Sequence, residues 1–276
     1  MGCEVRGLKE VKEGIRMIET MEIQSGSEEK VGKKKYYPRA YKRLLIQERD
    51  LQIMDYCLDQ KFLTVEQIAR RFFRPQEGAK HPLHTAYRRM LTLQRFGMVK
   101  LVPYAPGGQK GVQTTELGEQ ELLNQGLAPL PVCGINYATA EHDRRVTDVR
   151  ILFEDLGLLS SWTSDRYLKS ERVRVRRVPD AIMRFKKDYQ AALEVEIAWK
   201  GKERYQEIFS DYRQKKFGEV PFLFYVCNTL EQLKNLAKLT EHYKWVYYVL
   251  YEQLVQKGPE TVFANKLDEF RLKELA

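Results

Sequence analysis

Apolar side chains recur at three- and four-residue intervals from Leu51 through Met54 to Leu58, with Ile53 and Cys57 in the same phase, so Glu48–Gln60 predicts an amphipathic helix. Thr64-Val65-Glu66-Gln67 then has the form of a capping box and opens a second helix through Ile68, Ala69, Phe72 and Phe73. A third helix is predicted over residues 84–96, closed by Gly97. The period then changes from helix to strand. Residues 98–102 alternate, Pro106-Gly107-Gly108-Gln109-Lys110-Gly111 supplies a turn, residues 112–115 return, and Glu116–Asn124 predicts a short helix.

Residues 126–136, with Pro129 and Pro131, have linker composition and are expected to separate this part from the rest. Beyond them, Ala140–Asp155 carries Val146, Val149, Leu152 and Phe153 on one helical face and stops at Gly157, although its β-branched residues leave a strand open in part. Residues 162–170 read as extended, 173–185 and 191–198 as strands, 202–215 as a helix and 221–227 as a buried strand. A helix over 230–240 and a strand over 245–251 follow. At the other end of the chain, Leu8, Val11, Ile15 and Ile18 keep helical spacing before Ser25-Gly26-Ser27 breaks it.

Composition adds the class of partner. The chain has 276 residues, which predicts two domains, and 47 Lys plus Arg against 38 Asp plus Glu leave a net charge of +9. Such a surface attracts an anionic partner, nucleic acid first and an anionic membrane second. The longest apolar run, residues 220–227, is far short of the ~20 residues a bilayer demands, so no membrane partner is expected. Met1-Gly2-Cys3 is followed by Arg6 where a myristoylation signal has Ser or Thr, and by no signal-peptide core; the chain is expected to be cytoplasmic. Cys3, Cys57, Cys133 and Cys227 lack metal-ligand spacing, so zinc is not expected, and no glycine motif suggests ATP or NAD.

Charge is distributed unevenly. Residues 33–43 hold six Lys or Arg and no acid, interleaved with Tyr36, Tyr37 and Tyr41, which suits either an arm along phosphates or a solvated linker. From Lys80 to Gln113 there are again six Lys or Arg and no acid. Three helices and a ribbon with a glycine-rich tip resemble a winged helix-turn-helix, and the likeness is carried by Phe62-Leu63-Thr64-Val65-Glu66-Gln67-Ile68-Ala69, Arg95-Phe96-Gly97-Met98-Val99 and Thr115-Glu116-Leu117-Gly118. On that layout His84, Arg88, Arg89 and Thr92 are the candidate groove contacts, Lys110 on the ribbon should touch backbone or minor groove, and Lys80 is a further candidate DNA-binding residue. The plainer alternative is a winged helix used for protein contacts.

Acids mark the second half. Pro179-Asp180 is followed by Glu194-Val195-Glu196, and a turn at Lys187-Asp188 would place Asp180 opposite position 195, beside both glutamates. Alternation puts Leu193, Val195 and Ile197 in the core and Glu194, Glu196 and, with the strand continued, Lys200 on the other face. Opposed carboxylates repel, so this cluster needs Lys200, a nearby arginine or a hard divalent ion such as Mg²⁺, which with such acids can hold a water for attack on phosphate.

With the order of elements around it, this pattern resembles the PD-(D/E)xK nuclease superfamily. The resemblance implies a restriction-endonuclease-like mixed sheet flanked by helices, with Asp180 and Glu194 as Mg²⁺ ligands, Glu196 as ligand or base, and Lys200 as the transition-state cation. The superfamily has a lysine where Glu196 stands; Lys200 is then a displaced amine. Adding His142-Asp143-Arg144-Arg145-Val146-Thr147-Asp148-Val149 and Glu171, the chain over about residues 48–228 looks like the replication-relaxation family of bacterial plasmids and integrative elements. That likeness implies DNA binding in plasmid replication or mobilisation, with a relaxase or related protein as partner, and adds His142, Asp148 and Glu171 to the site. Taken alone, His142 reads as a capping or hydrogen-bonded histidine, Asp148 as a surface residue, and Glu171 as a salt-bridge partner in an arginine-rich strand. Residues 166–177 hold six Lys or Arg, among them Arg172, Arg174 and Arg176, and suit a phosphate-tracking groove or a solvated edge strand.

The expected fold class is therefore mixed α/β (α+β). It comprises a basic appendage over 1–43, a winged helix over 44–126, a nuclease-like domain over 137–256 and a tail over 257–276. The expected function is a DNA-binding accessory protein of a mobile element; the alternatives are an Mg²⁺-dependent endonuclease and a transcriptional regulator whose second domain serves dimerisation, with a second copy as a candidate partner.

Overall fold

The computed structural model describes residues 44–74, 81–105, 108–171, 178–214 and 220–275. The basic arm of residues 33–43, Lys80, and Arg172, Arg174 and Arg176 lie outside the described residues. Helix α1 (Glu48–Gln60) buries Ile53, Met54, Cys57 and Leu58, the stripe its periodicity marks. It ends at Lys61, a non-glycine residue at φ +74°. After β1 (Leu63–Thr64), the capping box forms as the sequence predicts: Gln67 N donates to Thr64 Oγ1 at 3.1 Å, and Thr64 N to Gln67 Oε1 at 2.9 Å, opening α2 (Val65–Phe72). Helix α3 (Pro82–Arg95) has proline in its first turn, where the missing N–H costs nothing. It is closed by Gly97 at φ +73°, and the hairpin of β2 (Val99–Pro103) and β3 (Lys110–Thr114) follows; β1 pairs outside β3, giving the order β1-β3-β2.

Helix α4 (Glu116–Asn124) packs its start against that hairpin so closely that a Cβ on Gly118 would lie 2.3 Å from the Met98 carbonyl oxygen and 2.8 Å from Thr114 Cγ2. Backbone cannot yield as a flexible side chain does. Gly118→Ala is expected to cost about 1–3 kcal/mol, read as a lower urea midpoint with unchanged m-value.

The second half begins with α5 (Ala140–Asp155), helical throughout despite its β-branched residues. Residues expected to be extended over 162–170 divide instead into the end of β4 (Leu159–Ser164) and most of α6 (Asp165–Glu171), because the Ser164 hydroxyl accepts from Tyr167 N at 3.2 Å and turns the chain. Then come β5 (Ala181–Phe185), β6 (Gln190–Glu196), α7 (Lys202–Arg213), β7 (Phe222–Cys227), α8 (Leu230–Leu239), β8 (Val246–Leu250) and α9 (Tyr251–Lys257). Of the strand expected over 173–185, residues 173–177 lie outside the described residues, 178–180 are not strand, and β5 begins at Ala181. The expected tail is not a tail: β9 (Val262–Ala264) and β10 (Glu269–Arg271) extend the sheet, and Phe263 and Leu272 are fully buried in its core. The seven strands run β10-β9-β8-β7-β6-β5-β4, with β6, β7 and β8 parallel and the outer pairs antiparallel.

One face of this sheet packs Val146, Val149 and Phe153 of α5 and Leu254 of α9 against Ala181, Leu193, Phe224 and Val249. The other packs Tyr205, Ile208 and Phe209 of α7 and Leu236 of α8 against Ala192, Tyr225 and Tyr248. Residues 45–276 form one compact unit, so 126–136 do not divide it. Ion pairs tie its halves: Arg71 to Glu154 at 2.8 Å, Arg70 to Asp148 at 3.0 Å, and Arg74 to Asp155. Among the described residues no helix is long and apolar enough to cross a membrane.

Candidate functional site

The strand directions bring polar side chains to one end of the large sheet. Parallel β6, β7 and β8 finish there, and β5, antiparallel to β6, starts there. Open sheets bind ligands outside the carboxyl ends of their parallel strands. Asp165 follows β4, Asp180 precedes β5, and Lys200 and Asn228 follow β6 and β7. The first turns of α5 lie over the same end, with His142 against Asp180 and Arg145 against Asn228. Arg145 also lies over the Tyr251 ring at 4.6 Å.

The hairpin register differs from expectation by one residue. Ala181 pairs with Leu193, so Asp180 stands opposite Glu194 rather than position 195. The cause is a three-residue turn: Asp188 N donates to Phe185 O, Phe185 N to Tyr189 O, and Asp188 takes φ +61°, as three-residue hairpin loops require. Asp180 ends the β5 pairing, and its carboxylate supplies the acceptor the backbone no longer offers, taking Val195 N–H at 2.7 Å. The same oxygen contacts His142 Nε2 at 3.1 Å, while His142 Nδ1 lies 3.3 Å from Asp143 Oδ1. From α1, Lys61 Nζ reaches Asp143 at 2.8 Å and Asp165 at 3.3 Å. Lys61, His142, Asp143, Asp165 and Asp180 thus line a narrow recess between the two halves.

Burial alone would lower the His142 pKa, but Asp180 and Asp143, one at each ring nitrogen, outweigh it and raise it to about 10. The ring is an imidazolium at neutral pH. Burial raises Asp180, and His142, the Val195 N–H and the more distant Lys200 together pull it below the usual carboxylate range. Lys61 is raised, since Asp165 and Asp143 outweigh its burial.

The other candidate acids have their own partners. Glu194 is 3% exposed and accepts from Tyr212 Oη of α7 at 2.8 Å. Glu196 is fully buried and accepts from Lys200 Nζ at 2.7 Å; burial raises its pKa against the pull of that lysine. Lys200 arrives by a turn, not along a continued strand, because β6 ends at Glu196. Asp180 is held by α5 and Glu194 by α7, helices on opposite faces of the sheet. Among the described residues no three His, Cys, Asp or Glu side chains are grouped to hold a metal. Glu171 ends α6, exposed, instead of lying in a strand. Asp148, expected at the surface, is buried and accepts from Gln67, Arg70, Arg144 and the Tyr251 hydroxyl.

A second candidate region lies on α3 and the small hairpin. His81, His84, Thr85, Arg88 and Arg95 are exposed along α3, as are Lys100 and Lys110 on the ribbon. Arg89 does not belong to this face: it is bound to buried Asp50 and donates to Leu45 O at 2.9 Å. Thr92 is partly exposed and spends its hydroxyl on the Arg88 carbonyl at 2.9 Å.

No family model matches this chain, and no curated protein or solved structure matches it. The residues themselves carry the functional reading. Lys61 and Asp165 escaped sequence reasoning because nothing local marks them; they meet only after folding. Arg95 and Lys100 were within reach, since the acid-free run contains both.

Proposed function

We propose that the protein binds double-stranded DNA through α3 and the β2–β3 ribbon, docked as a winged helix docks, with α3 in the major groove and the ribbon on the backbone. One observation carries this: the exposed side of α3 and the ribbon presents Arg88, Arg95, Lys100 and Lys110, and residues 81–113 contain no acid. A phosphate surface has this composition. Arg88, one helical turn from His84, reaches for base edges, and the lysines set position and affinity. The resemblance of the quoted motifs to the replication-relaxation family extends the reading to an accessory role on a plasmid or integrative element, with a relaxase or related protein as partner.

The test is fluorescence anisotropy with a duplex enriched from a random pool, titrated with salt. Arg88→Ala is expected to weaken binding by roughly 1–3 kcal/mol and to relax specificity at one base position. Lys110→Ala should weaken all sequences alike and flatten the salt slope by about one unit. Wild-type protein that fails to bind duplex DNA in low salt would sink the proposal. Nicking of plasmid DNA that depends on Mg²⁺ or Mn²⁺, and is lost in both Asp180→Ala and Glu194→Ala, would replace it with the endonuclease reading.

A further inference from the structure

Between α1, α2 and the start of α3 lies a pocket of about 410 Å³ whose walls include Arg49, Arg71, Arg74, Phe73, Pro82 and Thr85. Among the described residues no acid lines it. Arg71 and Arg74 are already compensated, Arg71 by Glu154 at 2.8 Å and Arg74 by Asp155. Arg49 is not. It makes no ion pair among the described residues; one terminal nitrogen donates to Gln47 Oε1 at 3.1 Å, and its Nε is buried with no hydrogen-bond partner. A donor in that condition has lost water and gained nothing, and the cation as a whole lacks a counter-charge among the described residues.

The guanidinium of Arg49 is also fixed in place, over the Phe73 ring at 4.0 Å. Stacking on a ring leaves Nη1, which has no partner among the described residues, to donate to a phosphate oxygen. Among the described residues, the one arginine of this pocket without a counter-charge matches the single negative charge of a phosphodiester. Pro82 and Thr85 place the pocket beside the α3 face, next to His84 and one turn from Arg88, where a duplex backbone leaving that face would pass.

We infer that Arg49, seated on Phe73, anchors one backbone phosphate of the DNA that α3 engages. The inference rests on the DNA-binding reading and adds to it a contact from α1, outside both α3 and the ribbon. The contact is indifferent to base sequence.

The experiment uses the full chain and the same duplex across a salt series, with melting curves as the folding control. Arg49→Gln should weaken binding roughly tenfold on every sequence, with the slope of log K against log salt reduced by about 0.9. Arg184→Gln, an exposed arginine on β5, should leave that slope unchanged. Arg49→Lys, which keeps the charge and loses the planar fork, should weaken binding at unchanged slope, and it carries the test should Arg49→Gln not fold. Wild-type binding with identical slope and affinity in the Arg49 variants overturns this inference and leaves the DNA-binding reading standing. No duplex binding by the wild type overturns both. A rise in melting temperature with pyrophosphate that Arg49→Gln abolishes, in a chain that does not bind duplex, would assign the pocket to a free phosphate compound and overturn the DNA source.

Discussion

Asp180→Ala is expected to cost about 3 kcal/mol of stability at pH 7, the lower end of the penalty for removing one member of a buried ion pair, since both partners are only partly buried. The change strands two groups at once. The His142 imidazolium loses its partner at Nε2, and the Val195 N–H loses the acceptor that replaces β5 beyond the end of its pairing. A second consequence concerns pH. The folded chain holds the His142 proton up to about pH 10, against an ordinary value of 6.5, so this group's contribution is complete below pH 6.5 and lost as pH climbs through about 10. Across that window wild-type stability should fall by up to ~1.4 kcal/mol per pH unit from this one group. In Asp180→Ala the fall should be shallower, since Asp143 alone remains beside the ring. Urea unfolding followed by circular dichroism at several pH values measures both effects. An Asp180→Ala chain as stable as wild type, with the same alkaline slope, would remove Asp180 as the keystone of the recess.

The recess also marks the boundary between what local sequence dictates and what it does not. Helices Glu48–Gln60, Glu116–Asn124 and Ala140–Asp155 have the bounds their patterns predict, because amphipathic spacing and caps act within a few residues. The hairpin was legible except for its register. Whether the turn at Lys187-Asp188 holds two residues or three depends on Asp188 entering the left-handed region, and composition alone leaves both lengths open. Strand β4 and the added pair β9–β10 carry little alternation, and pairing with distant strands makes them. Asp180 and His142 were visible as motif residues, but not that each satisfies the other. Arg89 shows the same limit for charge. Its place in a basic run cannot reveal that Asp50, far back on α1, has claimed it.

Asp148→Ala is expected to cost a further about 3–5 kcal/mol and, unlike Asp180→Ala, to loosen one half of the unit from the other. Asp148 Oδ1 accepts from Gln67 Nε2 and from Arg70, each at 3.0 Å, and Oδ2 accepts from Arg144 and from the Tyr251 hydroxyl, each at 2.6 Å. Two of these donors stand on α2 and the others on α5 and α9, so one carboxylate joins the small helical layer to the large sheet. A neutral methyl takes the acceptor from Arg70 and from Arg144 Nη1, and it leaves Gln67 with the Arg144 carbonyl and Arg144 with Glu141, where desolvated donors are costly. Wild-type unfolding should be a single transition, as ion-paired halves with a shared buried interface unfold together. In Asp148→Ala the transition should broaden or divide, with the tyrosine-rich sheet reporting later than the helical half. The geometry of α3 would then no longer be fixed relative to the sheet, and DNA affinity should fall less than stability does, since Arg88, Lys100 and Lys110 are untouched. Hydrogen exchange resolves the two halves directly: protection should drop first in α1 and α2. A cooperative transition with uniform protection in the variant would show that the remaining pairs, among them Arg71 with Glu154, Arg74 with Asp155, Lys61 with Asp143 and Arg150 with Asp59, suffice to hold the halves together.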